Sequence, residues 1–287
     1  MLTEVPFGRV VEPGLEKPRH QQGTLIGDRG EVFPSTLFKY YSLEGLEKTI
    51  STNTFKWELP CNENDPFEAL ATGWDKESIR KVLSTVNAEL EARSDAIFNS
   101  LDIQKSISYV AAYLSFSECA NNILMWSHYA ENGMGACVEI DVRHLLENIS
   151  MDLVRVVYAE EVAGARRRVP PLNDDNNEDS QKLIRNFLSY KAKEWEYEHE
   201  WRLIDPPMAK CMTLRQLNDG SFILVSEIPA GAIKKMIFGY RMPVSTRLAL
   251  AKLIQRNHSL CTFAEITPDR ERFELKVEPL EMETIKP

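Results

Sequence analysis

The alternation of apolar and polar residues predicts a chain built from both strands and helices. Segments 35–41 and 52–59 are rich in β-branched and aromatic residues, which is typical of strands. In 76–98 the apolar residues recur every three to four positions, which indicates an amphipathic helix. The rest of the chain continues this mixture. Further strands are predicted at 107–116, 135–142, 198–203, 221–225, 235–238, 261–266 and 273–277, and further helices at 45–50, 118–132, 180–193 and 243–256.

The predicted elements favour an α+β fold with a mixed, largely antiparallel sheet and flanking helices. Residues 1–32 are rich in Gly and Pro and show no periodicity, so we expect an irregular N-terminal arm. A single domain is expected to follow at 33–287. Within it, the polar stretch 160–180 predicts a long loop, either a lid or a disordered insert.

Composition narrows the class of protein without naming one. The five cysteines are scattered singly and form no Cys-x-x-Cys pair, which argues against a disulfide framework and against structural zinc. The formal net charge of -9 disfavours broad attachment to nucleic acid or to an anionic membrane. No apolar run approaches the roughly 18 residues of a membrane span, and the first residues lack the layout of a secretion signal. We therefore expect a cytoplasmic protein.

The usual short motifs of several large enzyme classes are missing from the sequence. There is no GxxxxGK[ST] phosphate loop, no GxGxxG, no HExxH and no GxSxG. P-loop nucleotidases, dinucleotide-binding Rossmann enzymes, zinc metalloproteases and α/β hydrolases thus lose their usual support. Candidate chemistry has to come from other residues.

The stretch 195–204 is the strongest candidate for a site. If 198–203 is a strand, Glu198, Glu200 and Arg202 lie on one face, because successive side chains point to opposite sides. Two carboxylates about 7 Å apart on one face repel each other, and at least one pKa rises unless a cation or a substrate lies between them. A solvent-facing strand with hydrated charges explains the same pattern. Both interpretations stay open here.

Two other segments carry candidate residues, each with a structural alternative. The predicted helix at 118–132, which Ser117 would cap, places aromatic and polar groups together and includes His128, a candidate catalytic residue or a packing residue. The Asn-Asp-Pro turn that contains Asp65 either supplies a substrate ligand or caps backbone amides.

Three segments together resemble the bacterial domain of unknown function 2971 family. They are Asn-Asp-Pro-Phe-Glu at 64–68, Met-Trp-Ser-His-Tyr-Ala at 125–130 followed by 135–141, and Tyr-Glu-His-Glu-Trp-Arg-Leu at 197–203. The opening Leu-Phe-Lys-Tyr-Tyr-Ser at 37–42 also fits that family, with Phe38 in place of a Tyr. The resemblance spans about 36–245 and implies relatives without implying a reaction.

The order of parts is also similar, more loosely, to ADP-ribosyltransferases, in which a late glutamate engages the nicotinamide ribose of NAD. This resemblance implies NAD as a substrate, no metal, and an enzyme of toxin or phage-defence type that transfers ADP-ribose or hydrolyses NAD. Such chemistry builds an oxocarbenium-like cation on the ribose, which one carboxylate stabilises while a second orients or deprotonates the acceptor. The implied catalytic residues are Glu200 and Glu198 with His128, and the implied substrate-binding residues are Lys39, Tyr40, Asp65, Trp126, Tyr129 and Arg202.

Two alternatives from other classes remain. Glu139 and Asp141 share a strand face, so if their strand were next to that of Glu198 and Glu200, four carboxylates would hold Mg²⁺ for phosphodiester cleavage. The third hypothesis is a non-enzymatic adaptor whose aromatic clusters are only its core. The expected partners under the first hypothesis are a small nucleotide and an unidentified acceptor, with no membrane; the sequence gives no strong evidence for nucleic acid.

Overall fold

A computed structural model describes residues 19–21, 24–26, 32–62, 64–65, 111–149, 151–160, 185, 188–205, 212–217 and 222–281. The helix predicted at 76–98, residues 161–180 of the loop predicted at 160–180, and residues 181–184, 186 and 187 of the helix predicted at 180–193 lie outside the described residues. The strands are β1 Arg19–Gln21, β2 Thr24–Ile26, β3 Thr36–Tyr41, β4 Thr54–Trp57, β5 Ala112–Ser117, β6 Ala136–Asp141, β7 Asp152–Arg155, β8 Val157–Ala159, β9 Tyr190–Ala192, β10 Glu200–Asp205, β11 Thr213–Gln216, β12 Phe222–Glu227, β13 Ile233–Phe238, β14 Thr262–Pro268 and β15 Leu275–Pro279. The α-helices are α1 Leu43–Thr52, α2 Ile123–His128, α3 Val142–Asn148 and α4 Val244–Ile254, and short 3₁₀ helices cover Pro60–Asn62, Glu131–Gly133 and Lys193–Glu198.

Within the described residues, eight strands form the central sheet in the order β15-β14-β13-β6-β3-β5-β10-β7. Neighbouring strands are antiparallel except β13 and β14, which are parallel. Smaller sheets are formed by β11-β12-β4, by β8 with β9, and by β1 with β2. The predicted α+β fold with a mixed, largely antiparallel sheet is confirmed. None of the described helices is both long enough and apolar enough to span a membrane.

The two faces of the central sheet are covered differently. One face carries the larger apolar core, in which α1, α3 and α4 contribute Leu46, Leu145 and Leu250. The opposite face carries a smaller cluster built from Tyr40, Cys137 and Ile237, and α2 covers it through Met125 and Trp126. Toward β5 and β10 this second face becomes polar, and the candidate site lies there.

A split between β3 and β5 shapes that polar region. The register of these two strands is a single pair, Phe38 with Ser117. The other end of β5 instead forms a bridge to Glu58, just after β4, through hydrogen bonds between Glu58 and Tyr113. Because β5 leaves β3 in this way, side chains from both strands border one gap. The Lys39 ammonium donates to the Ser115 carbonyl inside it, at 3.1 Å.

The predicted helix at 118–132 is wrong in its extent and in its cap. Helix α2 begins after Asn122, whose side-chain oxygen accepts hydrogen bonds from the Leu124 and Met125 amides. Asn is as good an N-cap as Ser, so a start at Asn122 agrees with the residue preferences at this position. The hydroxyl of Ser117 donates instead to the Glu198 carbonyl at 2.7 Å.

Three other predictions are corrected by the structure. Within the arm predicted to be irregular, β1 and β2 pair as an antiparallel hairpin. The end of the helix predicted at 180–193 is strand β9, followed by the 3₁₀ helix Lys193–Glu198. The strand predicted to start at residue 198 starts at Glu200, because His199 adopts a left-handed backbone with φ of 45° and separates Glu198 from the strand.

Candidate functional site

A cleft of about 340 Å³ opens at the split between β3 and β5. Its walls come from five places in the fold. They are residues 38–40 of β3, 115–117 of β5, Met125 and Tyr129 at α2, Glu58, Asn62 and Asn64 after β4, and the charged group Lys191, Glu198 and Glu200. The volume lies near the lower end of the roughly 300–1,000 Å³ that small-molecule pockets span.

The charged wall of the cleft is a connected network, which we call the cleft network: Lys191, Glu198, Glu200 and Arg202. The Lys191 ammonium lies 2.7 Å from a Glu198 oxygen and 3.4 Å from a Glu200 oxygen. The Arg202 guanidinium donates to both oxygens of Glu200, at 2.8 and 3.1 Å. All four residues are buried, so each carboxylate is held by a cation in a site with little water.

The local folds of β9 and the 3₁₀ helix explain why these groups meet. The Ala192 amide donates to Asp65, and the Trp195 ring lies 5.0 Å from the Lys191 ammonium. The Ser117 hydroxyl and the Asn122 amide donate to the carbonyls of Glu198 and Tyr197, which anchors the end of the 3₁₀ helix. Glu198 therefore reaches the cleft from the 3₁₀ helix, whereas Glu200 reaches it from β10.

The two carboxyl groups differ in their proton affinity. Burial raises the pKa of Glu198, and the nearby Glu200 charge adds to this, while Lys191 and the Tyr129 hydroxyl oppose it; the pKa remains raised. Burial also acts to raise the pKa of Glu200, but Arg202 and Lys191 outweigh it and lower the pKa to about 2. Paired acids whose surroundings separate their pKa values are a common feature of acid–base sites.

Two tyrosine hydroxyls also contact Glu198 and Glu200. Tyr129 donates to Glu198 at 2.5 Å and accepts from the Asn64 amide at 2.8 Å. Tyr158 accepts from the backbone amide of Glu200 at 2.8 Å. Burial is the main cause that raises the pKa of both tyrosines, so both hydroxyls keep their protons at neutral pH.

The structure brings some of the predicted site residues to the cleft and places others elsewhere. Glu198, Glu200, Lys39, Tyr40 and Tyr129 border it. Tyr40 is mostly buried, since its hydroxyl donates to the Cys119 carbonyl and its ring packs against Trp126. It therefore offers the cleft little open aromatic surface.

Four predicted site residues do not border the cleft within the described residues. Trp126 is 1% exposed and belongs to the core, so it is not a stacking surface for a ligand. Arg202 is fully buried behind Glu200, where it cannot meet a pyrophosphate. Asp65 is buried and accepts from the Ala192 amide. His128 is exposed, with its ring beside that of Tyr197.

The four-carboxylate magnesium arrangement expected for a nuclease is wrong. Strands β6 and β10 are separated by β3 and β5 in the sheet, so Glu139 and Asp141 do not face Glu198 and Glu200. Glu139 pairs with Lys235, and Asp141 caps α3. Among the residues that the structure describes, no group of three or more His, Cys, Asp or Glu is arranged to hold a metal ion.

Lys191 is the main site residue that the sequence analysis missed. It lies in a segment predicted as helix, where a lysine signals only a solvent-facing position. The sequence analysis predicted that the two carboxylates repel each other unless a cation or a substrate lies between them. That cation is Lys191, which is 6% exposed and comes from another strand.

Comparison with known proteins gives one match. No curated protein and no solved structure matches the chain. A family model described as "Protein of unknown function (DUF2971)" matches residues 125–203, which include Tyr129 and the whole cleft network. The matched range is narrower than the 36–245 expected from the motifs. Over residues 125–203, the resemblance to this family of unknown function is confirmed.

Proposed function

We propose that the cleft binds the nicotinamide ribose of NAD and that the protein breaks the bond between nicotinamide and ribose, as an ADP-ribosyltransferase or NAD glycohydrolase. The observation that carries this proposal is the pair of buried carboxylates on the cleft wall, each held by named donors. A fixed ionised carboxylate next to one with greater proton affinity is the combination that this reaction uses.

Each carboxylate has a distinct role in the proposed reaction. When the glycosidic bond of NAD⁺ breaks, its electron pair stays on nicotinamide, which leaves neutral, and the ribose becomes an oxocarbenium-like cation. Glu200 remains ionised, and Arg202 fixes its orientation, so it stabilises that cation without having to reorient. Glu198 takes the proton from water or an acceptor hydroxyl as that oxygen forms its bond to the ribose.

The other walls of the cleft suit the same ligand. Phe38 and Met125 supply apolar surface for a flat ring. Lys39 is the cleft residue with the chemistry to meet a phosphate, in place of the buried Arg202.

The direct test incubates the purified protein with NAD and measures the released nicotinamide by chromatography. We expect Glu200→Gln to lower the rate by about 10²–10³ and Glu198→Gln by about 10²–10⁴. Glu265→Gln is the matched control, because Glu265 also pairs with an arginine, Arg247, but lies on β14 away from the cleft.

The same proteins distinguish the competing hypotheses. We expect NAD to raise the melting temperature of the wild type. If NAD gives neither a thermal shift nor released nicotinamide, while Mg²⁺ or Mn²⁺ gives a shift, the proposal is wrong in favour of a metal-dependent reaction. If none of these ligands gives a shift and nothing is released, a non-enzymatic adaptor is favoured.

A further inference from the structure

We infer that Lys191 is a positioning residue of the cleft: its ammonium joins the two carboxylates and sets the charge state in which Glu198 accepts a proton. Its consequence for turnover rests on the proposed function, but its effect on the carboxylates does not. No motif in the sequence indicates this role. It follows from the position of β9 beside the cleft.

The geometry around Lys191 leaves its ammonium little freedom. The nitrogen contacts Glu198 at 2.7 Å and Glu200 at 3.4 Å, so it bridges two residues that come from different elements. The Trp195 ring, 5.0 Å away, adds a cation–π contact. Strand β9 itself pairs with β8, and Asp65 accepts the amide of the next residue, Ala192. Because these contacts hold the Lys191 side chain, its ammonium in turn fixes the positions of the Glu198 and Glu200 carboxylates.

The groups that face Glu198 come from four other parts of the fold. Lys191 lies on β9, Glu200 and Arg202 on β10, Tyr158 on β8, Tyr129 after α2, and Tyr197 on the same 3₁₀ helix as Glu198. Lys39 and Glu58 complete the charged residues of the cleft wall. Of these, only Lys191 is a described cation in direct contact with Glu198. Arg202 is committed to Glu200 and the Leu188 carbonyl.

Removal of the ammonium therefore has a defined consequence. Burial and the Glu200 charge both raise the pKa of Glu198, and Lys191 opposes them. An opposite charge at this distance lowers a carboxyl pKa by about 1–3 units, so its loss raises the pKa of Glu198 by a similar amount. A larger fraction of Glu198 then carries a proton at any given pH, so less of it can accept one from the attacking oxygen.

The first experiment measures Glu198 directly and needs no substrate. Protein labelled with ¹³C at the glutamate carboxyls is titrated by NMR, with Glu198→Gln used to assign the signal. We expect Lys191→Met to raise the titration midpoint of Glu198 by about 1–3 pH units. In Lys191→Arg, which keeps the positive charge, the midpoint should stay close to that of the wild type. Lys235→Met is the control, because Lys235 pairs with Glu139 outside the cleft. An unchanged midpoint in folded Lys191→Met overturns the inference.

The second experiment measures the pH dependence of nicotinamide release. We expect the acid limb of the profile for Lys191→Met to move to higher pH by the same amount as the NMR midpoint. At a fixed pH on the acid limb, activity should then fall about tenfold for each unit of this shift and recover in part as the pH rises. A uniform loss at every pH overturns the role assigned to Lys191, because a purely structural defect does not depend on the charge of Glu198.

A third measurement uses the wild-type protein, so it tests the inference even if the Lys191 variants fail to fold. In wild-type protein labelled with ¹⁵N at lysine, the Lys191 side-chain signal should shift at the pH where Glu198 titrates. Absence of that shift contradicts the inference without any substitution. If the wild type releases no nicotinamide but the NMR coupling is present, the proposed function is wrong and the inference about Lys191 stands.

Discussion

The two faces of strand β10 are equally buried, but one is apolar and the other is charged. Trp201 and Leu203 are 4% and 0% exposed and belong to the larger apolar core. Glu200 and Arg202 are also 4% and 0% exposed, but they are charged; Glu200 borders the cleft and Arg202 lies behind it. Burial of apolar surface stabilises the fold by about 25 cal/mol per Å². The ion pair between Glu200 and Arg202 stabilises the fold only as far as its attraction exceeds the free energy that both charges lose when they leave water.

This comparison shows that burial alone does not indicate what a residue contributes. The apolar face of β10 accounts for stability, because each side chain there gains from leaving water. The cleft face gains little net stability, because its charges would be hydrated in the unfolded chain. Its geometry instead fixes two carboxylates in a cleft that is open to a ligand, which is the pattern expected of a site rather than of a core. Substitutions on each face, and in a buried polar cluster elsewhere in the fold, should separate these two contributions.

The largest effect should come from breaking the ion pair on one side. Arg202→Met leaves Glu200 buried with Lys191 as its remaining close cation, and we expect the free energy of unfolding to fall by about 3–5 kcal/mol. Urea denaturation monitored by tryptophan fluorescence measures this loss. Leu203→Ala, on the apolar face, is expected to lose a similar amount, about 2–5 kcal/mol.

The two variants should nevertheless differ in their pH dependence. Without Arg202 the pKa of Glu200 loses its largest lowering influence, so protonation near pH 4 relieves the buried charge and recovers part of the stability of Arg202→Met. Leu203→Ala should show no such recovery. Equal behaviour of the two variants across pH would contradict the distinction between the two faces.

The second prediction replaces the whole cleft network rather than one partner. The combined variant Lys191→Met, Glu198→Gln, Glu200→Gln and Arg202→Met removes all four charges while keeping similar volumes. We expect it to be as stable as the wild type or more stable, by up to about 1–4 kcal/mol, because no charge has to be dehydrated. NAD should no longer shift its melting temperature. A large loss of stability would show that the network is a structural element of the fold.

The smallest effect concerns a buried polar cluster outside the cleft. His258 accepts a hydrogen bond from the Gly231 amide at 3.1 Å and contacts the Asn53 side-chain oxygen at 3.0 Å. Burial, with a smaller contribution from His144, lowers the pKa of His258 to about 4. The unprotonated ring is therefore favoured in the folded state, because protonation would direct a second N–H against the Gly231 amide.

The direction of the pH effect follows from this lowered pKa. The contribution of His258 is complete above the unfolded pKa of about 6.5 and is lost as the pH falls toward 4. We expect a loss of roughly 1 kcal/mol, the order of one buried hydrogen bond. The difference in unfolding free energy between wild type and His258→Gln, measured from pH 7 to pH 4, isolates it from the carboxyl groups. A difference that does not change with pH would contradict the prediction.

Local patterns in the sequence were sufficient for much of the fold. Strand-forming and apolar residues placed β3, β6, β13 and β14 within one or two residues, and helical periodicity placed α1 and α4. The resemblance over 125–203 and the importance of Glu198 and Glu200 to the cleft were also visible in the sequence. These features depend on neighbouring residues, whose periodicity is a direct consequence of backbone geometry.

Other features were decided by contacts between distant residues. The sequence predicted that two carboxylates at 198–200 lie close together and repel each other, and it left open whether a cation, a ligand or water meets them. Contacts between distant elements place Lys191 against both carboxylates, bury Arg202 behind Glu200, and set the left-handed His199 between Glu198 and β10. A cleft forms where β5 leaves β3 for Glu58, and strand pairing of this kind depends on side-chain packing across the whole sheet rather than on local sequence.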